Sequence, residues 1–300
     1  MVVKKLVKNK KERKKVELVK EKKVEVKSSR PKFVGEAQIE VRNATKDFIV
    51  GSQTINVLKG ISLKIKAGDF AIIFGPSGCG KSTLLHAILG MEAPTTGEVL
   101  LDGQSLYAMS EDDMVRFRKA RIGVVFQQSI WIKSLNVIEN VSLPNRLKGM
   151  DVDEAETLAM ETLKKVKLED WAHHHPSELS SGQQQRISLA RALTIDPMVI
   201  VADEPTGNLD TVSSDELMDL LLDLSQNQGK TVLMVTHDLE YLKYASKLFH
   251  IIDGLLVEEF DSKGAEKLSK AMKSKKGARS NLTVADGDFL KNNNDTYAIK

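Results

Sequence analysis

Eight consecutive residues, Gly75-Pro76-Ser77-Gly78-Cys79-Gly80-Lys81-Ser82, set three glycines beside a lysine and a hydroxyl. They fill every fixed position of the pattern G-x-x-x-x-G-K-[ST], whose chemistry is the holding of phosphate groups. Glycines let backbone N–H groups close around anionic oxygens, and a helix starting at the loop's end adds the positive end of its dipole. Lys81 is then expected to reach the β- and γ-phosphates of a nucleotide, Ser82 to ligate Mg²⁺, and Thr83 to complete the cradle. Cys79 occupies a variable position of the pattern. A helix N-terminus can lower a thiol's pKa and make it a redox switch, but a small side chain tolerated at a free position is the preferred reading.

Such a loop needs a strand before it and a helix after it. Phe70–Phe74 is continuously apolar, as a strand covered on both faces is, and Thr83 to Leu89 reads as helix. Upstream, Ile61 to Lys66 alternates apolar and polar with period two, and Ala67-Gly68-Asp69 turns the chain. Met198–Ala202 and Thr231–Val235 are further buried-strand candidates, with a helical pattern from Ser213 to Leu224 between them. A polar, helix-rich stretch runs from about Gln128 to Arg186. Within it Asp151 and Asp153 supply cap residues, and Ala155, Ala159, Leu163 and Val166 recur at helical spacing. Strands alternating with helices predict an α/β fold around a largely parallel sheet.

The whole-chain numbers set limits. The chain has 300 residues, 41% apolar and 28% charged, with Cys79 as its one cysteine, so no intrachain disulfide can form. No stretch approaches the ~20 consecutive apolar residues of a membrane span. Any span in the working assembly is expected from another polypeptide. Residues 1–35 hold fourteen Lys or Arg against four Glu, so a net charge of +3 conceals an acidic remainder. Residues 1–36 read as a disordered basic arm, either simply solvated or in contact with anionic lipid. The arm has no interleaved aromatics, which argues against nucleic acid as a partner. Residues 259–300 read as a polar, flexible tail.

A phosphate loop alone fits many nucleotide hydrolases, and five further patterns narrow the choice. Leu179-Ser180-Ser181-Gly182-Gln183 resembles the LSGGQ signature of the ABC ATPases. Met198 to Glu204 is similar to their apolar strand ending in an acidic pair, Gly207-Asn208-Leu209-Asp210 to their D-loop, and Thr236-His237-Asp238 to their switch histidine. Val125-Phe126-Gln127 resembles their Q-loop. Order and spacing agree from about Ile39 to Val257.

The resemblance implies a P-loop NTPase of ABC type: residues 37–258 with a parallel core, an antiparallel β-subdomain and a helical subdomain inserted at about 128–186. It implies ATP and Mg²⁺. Asp203 would hold the metal through water, together with Ser82 and Gln127. Glu204 would polarise the attacking water, His237 would contact the γ-phosphate, and Gln127 would link the subdomains. Ser180, Ser181, Gly182 and Gln183 would meet a nucleotide held by an opposing subunit, so that a homodimer encloses two ATPs. Asp210, in the stretch that resembles the D-loop, would belong to the nucleotide-binding residues as well. Phe48 stands where the family places an aromatic against adenine; packed in a strand core instead, it would have no such role. Ser181 departs from the family's glycine pair, a tolerable change at a helix start.

Arg121 to Gln127, Val137 to Val141 and Ala202 to Asp210 resemble the branch that includes the MacB, LolD and FtsE types. That branch implies a permease partner in the membrane and work at its cytoplasmic face. Ile130-Trp131-Ile132 fits either a socket for such a partner or the interior of the helical subdomain. His173-His174-His175, followed by Pro176, reads as a loop and not as a metal site. The alternative function is a soluble ABC ATPase of translation or DNA maintenance. Against it stand a chain with room for one cassette and no heptad array between Lys81 and Leu179.

Overall fold

A computed structural model of the chain describes residues 37–276, with side chains through 271. The basic arm with its expected lipid contact, and residues 277–300, lie outside the described residues.

A long hairpin, β1 (Ile39–Val50) and β2 (Gln53–Ile65), pairs with β4 (Thr96–Leu101) and β5 (Gln104–Ser105) in an antiparallel sheet of order β2-β1-β4-β5. The second sheet contains β3 (Phe70–Phe74), β6 (Ile122–Val125), β7 (Val199–Asp203), β8 (Thr231–Thr236), β9 (Lys247–Ile252) and β10 (Leu255–Asp261). Its order is β10-β9-β3-β8-β7-β6, parallel except for the β10 edge. The mixed α/β architecture expected from the sequence is the one observed.

The run Phe70–Phe74 shows why continuous apolarity marks a central strand. Ala71 and Ile73 face one core, shared with the antiparallel sheet and with α1 (Lys81–Ile88). Phe70, Ile72 and Phe74 face the other core, shared with α5 (Ser181–Leu193) and α6 (Thr211–Gln226). Each fully buried side chain of this size contributes roughly 1.5–3 kcal/mol relative to exposure. The strand is therefore fixed from both sides.

Between β5 and β6 lies α2 (Glu111–Arg121), capped by Ser110. A third core brings together α3 (Val137–Arg146), α4 (Val152–Lys165) and one face of α5. On α5, Ile187 and Ala190 belong to this helical core, whereas Leu189, Ala192 and Leu193 face the sheet. The expected subdomain boundary at Arg186 thus falls inside one continuous helix, which binds the two cores together.

The sequence expectation also differs at the C-terminal end. Residues 259 onward do not begin a flexible tail: β10 continues to Asp261, and α7 (Ser262–Lys276) follows. Ala265 and Leu268 are buried beside Tyr241 and Leu242 of a 3-10 turn, Leu239–Tyr244. Two apolar anchors at helical spacing suffice to dock a helix whose remaining face is polar, which is why mean hydropathy conceals it.

Candidate nucleotide site

The C-terminal ends of β3, β8 and β7 lie side by side, since Phe74 pairs with Thr236 and Asp203 with Val235. From this edge emerge the phosphate loop, the acidic pair and His237. In open parallel sheets this edge is where ligands bind.

The loop is shaped by glycines that cannot be replaced. A Cβ on Gly75 would stand 2.0 Å from the Ile251 carbonyl oxygen and 3.0 Å from Cys79 Sγ. On Gly80 it would stand 2.9 Å from the Val57 carbonyl oxygen and 3.0 Å from Leu58 Cδ2. Gly80 caps α1 in a left-handed conformation without any side-chain hydrogen bond, which leaves the helix's first N–H groups available to an anion. Lys81 is buried, and its Nζ donates to the carbonyl oxygens of Gly75 at 2.9 Å and Pro76 at 2.8 Å. The cation is therefore held over the loop by neutral acceptors. Pro76 is half-buried, Ser77, Gly78 and Ser82 are exposed, and Thr83 is half-buried. Cys79 is buried, burial pushes its thiol above the ordinary value, and its carbonyl accepts from Gly254 N at 3.0 Å. These are the properties of a packing residue, not of a redox switch.

Glu204 sits just past β7 at φ +44°, a left-handed conformation unusual for glutamate, with its N–H donating to Val235 O at 2.9 Å. Such strain, on the order of 1–3 kcal/mol, persists where surrounding structure fixes it and gathers at functional sites. The conformation brings Glu204 Oε1 to 3.0 Å from His237 Nδ1. A cavity of about 250 Å³ opens beside the pair, lined by Thr206, Gly207 and Tyr241 among others. Neighbouring Asp203 is part-buried. Burial first, and the Glu204 charge second, push its carboxyl above the ordinary range, partly offset by the positive field of His86 and Lys81. A carboxylate in that position is stabilised by a cation, so Asp203 and the exposed Ser82 hydroxyl suit Mg²⁺. Among the described residues no group of three His, Cys, Asp or Glu forms a protein cage for a metal.

Gln127 joins this group. Its Nε2 lies 3.0 Å from where a side chain on Gly207 would begin. The signature residues do not join it. Among the described residues, no hydrogen bond or ion pair links Ser180, Ser181, Gly182 or Gln183 to the phosphate loop. Ser180 caps α5 in a reciprocal box with Gln183 (Ser180 N to Gln183 Oε1 2.9 Å; Gln183 N to Ser180 Oγ 3.2 Å). Ser181 is exposed, while Gly182 is buried. Asp210 caps α6 through Ser213.

Phe48 is half-exposed in the β1–β2 hairpin, opposite Ile55, with Lys46 Nζ 5.1 Å from its ring centroid. It belongs to none of the buried cores. The strand-core alternative is thereby removed. The histidine run lies in a loop, where His174 Nδ1 is 3.2 Å from Glu178 Oε2.

The segment after Gln127 divides. Trp131 packs on the helical core with Arg191 over its ring at 4.8 Å, whereas Ile130 and Ile132 are 65% and 45% exposed. Three residues that sequence reading did not single out hold this segment to α5. Gln185 Nε2 donates to Phe126 O at 2.8 Å, and Ser129 Oγ donates to Gln185 Oε1 at 2.9 Å. Gln184 Oε1 accepts from Trp131 Nε1 at 3.2 Å, and Arg191 donates to Ile130 O at 2.6 Å. A polar run inside an apolar-periodic helix was the available signal.

A strand, a glycine loop, a capped helix and an acidic pair at one edge of a parallel sheet define a P-loop nucleotide hydrolase. The ABC transporter family model matches residues 58–207. The lipoprotein-releasing system ATP-binding protein LolD of Buchnera aphidicola is 40% identical over 214 residues, covering 71% of this chain and 93% of that protein. The macrolide export ATP-binding/permease protein MacB of Chlorobaculum tepidum is 41% identical over 221 residues, covering 74% of this chain and 34% of that longer protein. A dimeric post-hydrolysis structure of an ATP-binding cassette with ADP and Pi aligns with TM-score 0.70 and 40% identity, covering 75% of this chain and 99% of that one. The chain belongs to the ABC transporter family and is an ATP-hydrolysing cassette. None of these relatives favours the soluble alternative.

Proposed function

We propose that the chain is the ATPase subunit of a LolD- or MacB-type assembly, closing as a homodimer around two ATPs to drive a permease from the cytoplasmic face of the membrane. Among the described residues no helix is long and apolar enough to cross a membrane. The observation that carries the reading is the division of the site. The phosphate loop, Asp203, Glu204 and His237 leave the C-terminal edge of one sheet, with Gln127 beside Gly207, while the signature turn opens α5 and, among the described residues, shares no hydrogen bond or ion pair with the phosphate loop. One chain supplies two incomplete half-sites, and a second copy completes both.

Within a half-site, Lys81 exchanges its two carbonyl partners for phosphate oxygens, and the free N–H groups of α1 bind the same phosphates. Ser82, Asp203 and Gln127 would hold Mg²⁺, which when bound neutralises charge developing on the phosphate oxygens. Glu204 orients the attacking water and accepts its proton, and His237 fixes the Glu204 carboxylate while reaching the γ-phosphate. Phe48 offers its ring face to adenine. Ser180, Gly182 and their backbone N–H groups meet the second copy's γ-phosphate, with Ser181, Gln183 and Asp210 beside them. Exposed Ile130 and Ile132, anchored by half-buried Trp131, form the surface offered to the permease.

The test uses tagged Glu204→Gln protein with ATP and Mg²⁺, recovered from gently solubilised membranes of the native host. A polytopic membrane protein should co-purify in stoichiometric amount only when ATP is present. Recovery of ribosomes, DNA or nothing overturns the membrane reading and leaves the ATPase alone.

A further inference from the structure

The signature turn and Asp210 lie about 30 residues apart in the sequence, and in the structure they meet at Ser213. A Cβ added to Gly182 would stand 2.4 Å from Ser213 Oγ and 2.6 Å from Ser213 Cβ. No side chain fits at Gly182 while Ser213 occupies that place. The same hydroxyl donates to Asp210 Oδ2 at 2.7 Å, and Ser213 N donates to Asp210 Oδ1 at 3.0 Å. One residue thus engages both oxygens of Asp210. The main-chain bond first, and the hydroxyl bond second, hold that carboxyl below its ordinary range, so it stays ionised. A second tie between the helices, Arg186 NH2 to Glu216 Oε2 at 3.4 Å, reinforces the junction. From Asp210 the chain returns to Glu204 through two tight turns, Leu209 N to Thr206 O and Gly207 N to Glu204 O, both 3.1 Å.

We propose that Ser213 is a positioning residue that couples the signature turn to the Glu204 and His237 pair of the same subunit, and that Gly182 is glycine because Ser213 packs upon it. The coupling rests on the dimer reading above, since it lets a nucleotide held by the second copy set the geometry of this copy's own pair. If Gly182 is instead glycine only to let that phosphate approach, the identity of residue 213 is irrelevant to the effect of filling position 182. The two accounts give opposite outcomes in a double-mutant cycle.

The full chain is compared with its Gly182→Ala, Ser213→Gly and doubly substituted variants. Hydrolysis gives kcat and KM separately, and light scattering in the Glu204→Gln background gives ATP-dependent dimerisation. Gly182→Ala should lower kcat about tenfold or more with little change in KM, because the cassette's own phosphate loop is untouched. Ser213→Gly alone should cost about two- to threefold, and the double variant should recover at least about fivefold over Gly182→Ala. Ser213→Ala, which removes Oγ but leaves Cβ in place, should rescue less than Ser213→Gly. A double variant as slow as Gly182→Ala overturns the proposal. If Gly182→Ala fails to fold, Ser213→Val approaches the contact from the other side: kcat and dimerisation should fall together while ADP affinity is retained, and an unchanged kcat overturns it. Should Glu204→Gln itself stay monomeric in ATP, the dimer reading fails, and the Ser213 contact is judged on the kcat rescue alone.

Discussion

The phosphate loop and the signature turn are both helix N-termini, yet they are built in opposite ways. Gly80 caps α1 with backbone conformation alone, whereas Ser180 caps α5 with a reciprocal side-chain box. What fixes Gly75 and Gly80 is mainly backbone, the carbonyls of Ile251 and Val57. What surrounds the signature is side chain: Ser213 against Gly182, Gln184 reaching Pro176 O and Leu179 O, and Gln185 reaching Phe126 O. Backbone packed in a core cannot yield, whereas side-chain tethers can lengthen or exchange partners. On the proposed reading, the half-site for the subunit's own ATP is therefore rigid, and the surface offered to a second copy is adjustable. Substitutions in the first region should act nearly all-or-none, and in the second by degrees.

The largest effect should come from Glu204→Gln, which keeps shape and removes the proton acceptor. Hydrolysis should fall by about 10²–10⁴-fold with ATP affinity retained, measured by phosphate release and by equilibrium binding. Comparable loss of affinity would mean that Glu204 holds the loop's shape rather than the chemistry. Gly75→Ala takes the opposite route. With Ile251 O at 2.0 Å from the new atom, the loop must deform. ATP binding should be abolished and Tm should drop by several degrees, as expected for a loss of a few kcal/mol. Measurable ATP binding by Gly75→Ala would erase the claimed rigidity.

Gln185→Ala probes the adjustable side. It strands the Phe126 carbonyl and the Ser129 hydroxyl in a part-buried setting, at a cost of about 1–3 kcal/mol. Denaturant unfolding should show that loss. Steady-state kinetics should show a kcat reduced severalfold with KM nearly unchanged, because Phe126 precedes Gln127 while the phosphate loop is undisturbed. A KM effect larger than the kcat effect would place Gln185 in the rigid half-site instead.

The same contrast explains what the sequence disclosed. The phosphate loop, the acidic pair and the buried strands are local: each is a contiguous run whose residues determine one another's conformation. The Gln185 bridge and the Ser213 contact join distant segments, and their partners exist only once α5 and α6 pack. Trp131 could not be assigned from its own segment because Arg191 and Gln184, which decide its direction, lie more than fifty residues away. Helix α7 escaped notice for a related reason. Its two buried anchors, Ala265 and Leu268, need the 3-10 turn after His237 as their partner. The tethers of the adjustable region are long-range by nature, so it was the less legible of the two.

The smallest expected effect concerns what supports the rigid half. Strand β2 leans on the phosphate loop at Gly80, and β2 is tied to β1 in part by Glu40, which pairs with Lys64 at 3.0 Å and with Arg42 at 2.9 Å. Arg42 first, and Lys64 next, hold the Glu40 carboxyl down at about 2, from an ordinary 4.5. A pKa depressed by folding adds stability that is complete above the unfolded value and lost as pH falls toward the folded one. The contribution should therefore be present at neutral pH and fade between roughly pH 4.5 and 2. Both cations are more than half exposed, so its size should not exceed about 1 kcal/mol, and salt should reduce it. Glu40→Gln should lower Tm slightly at pH 7 and flatten the acid decline relative to the native chain, with hydrolysis at pH 7 little changed. If the two acid profiles stay parallel, Glu40 is not among the groups whose protonation loosens the antiparallel sheet, and the rigidity of the phosphate loop owes nothing to that ion pair.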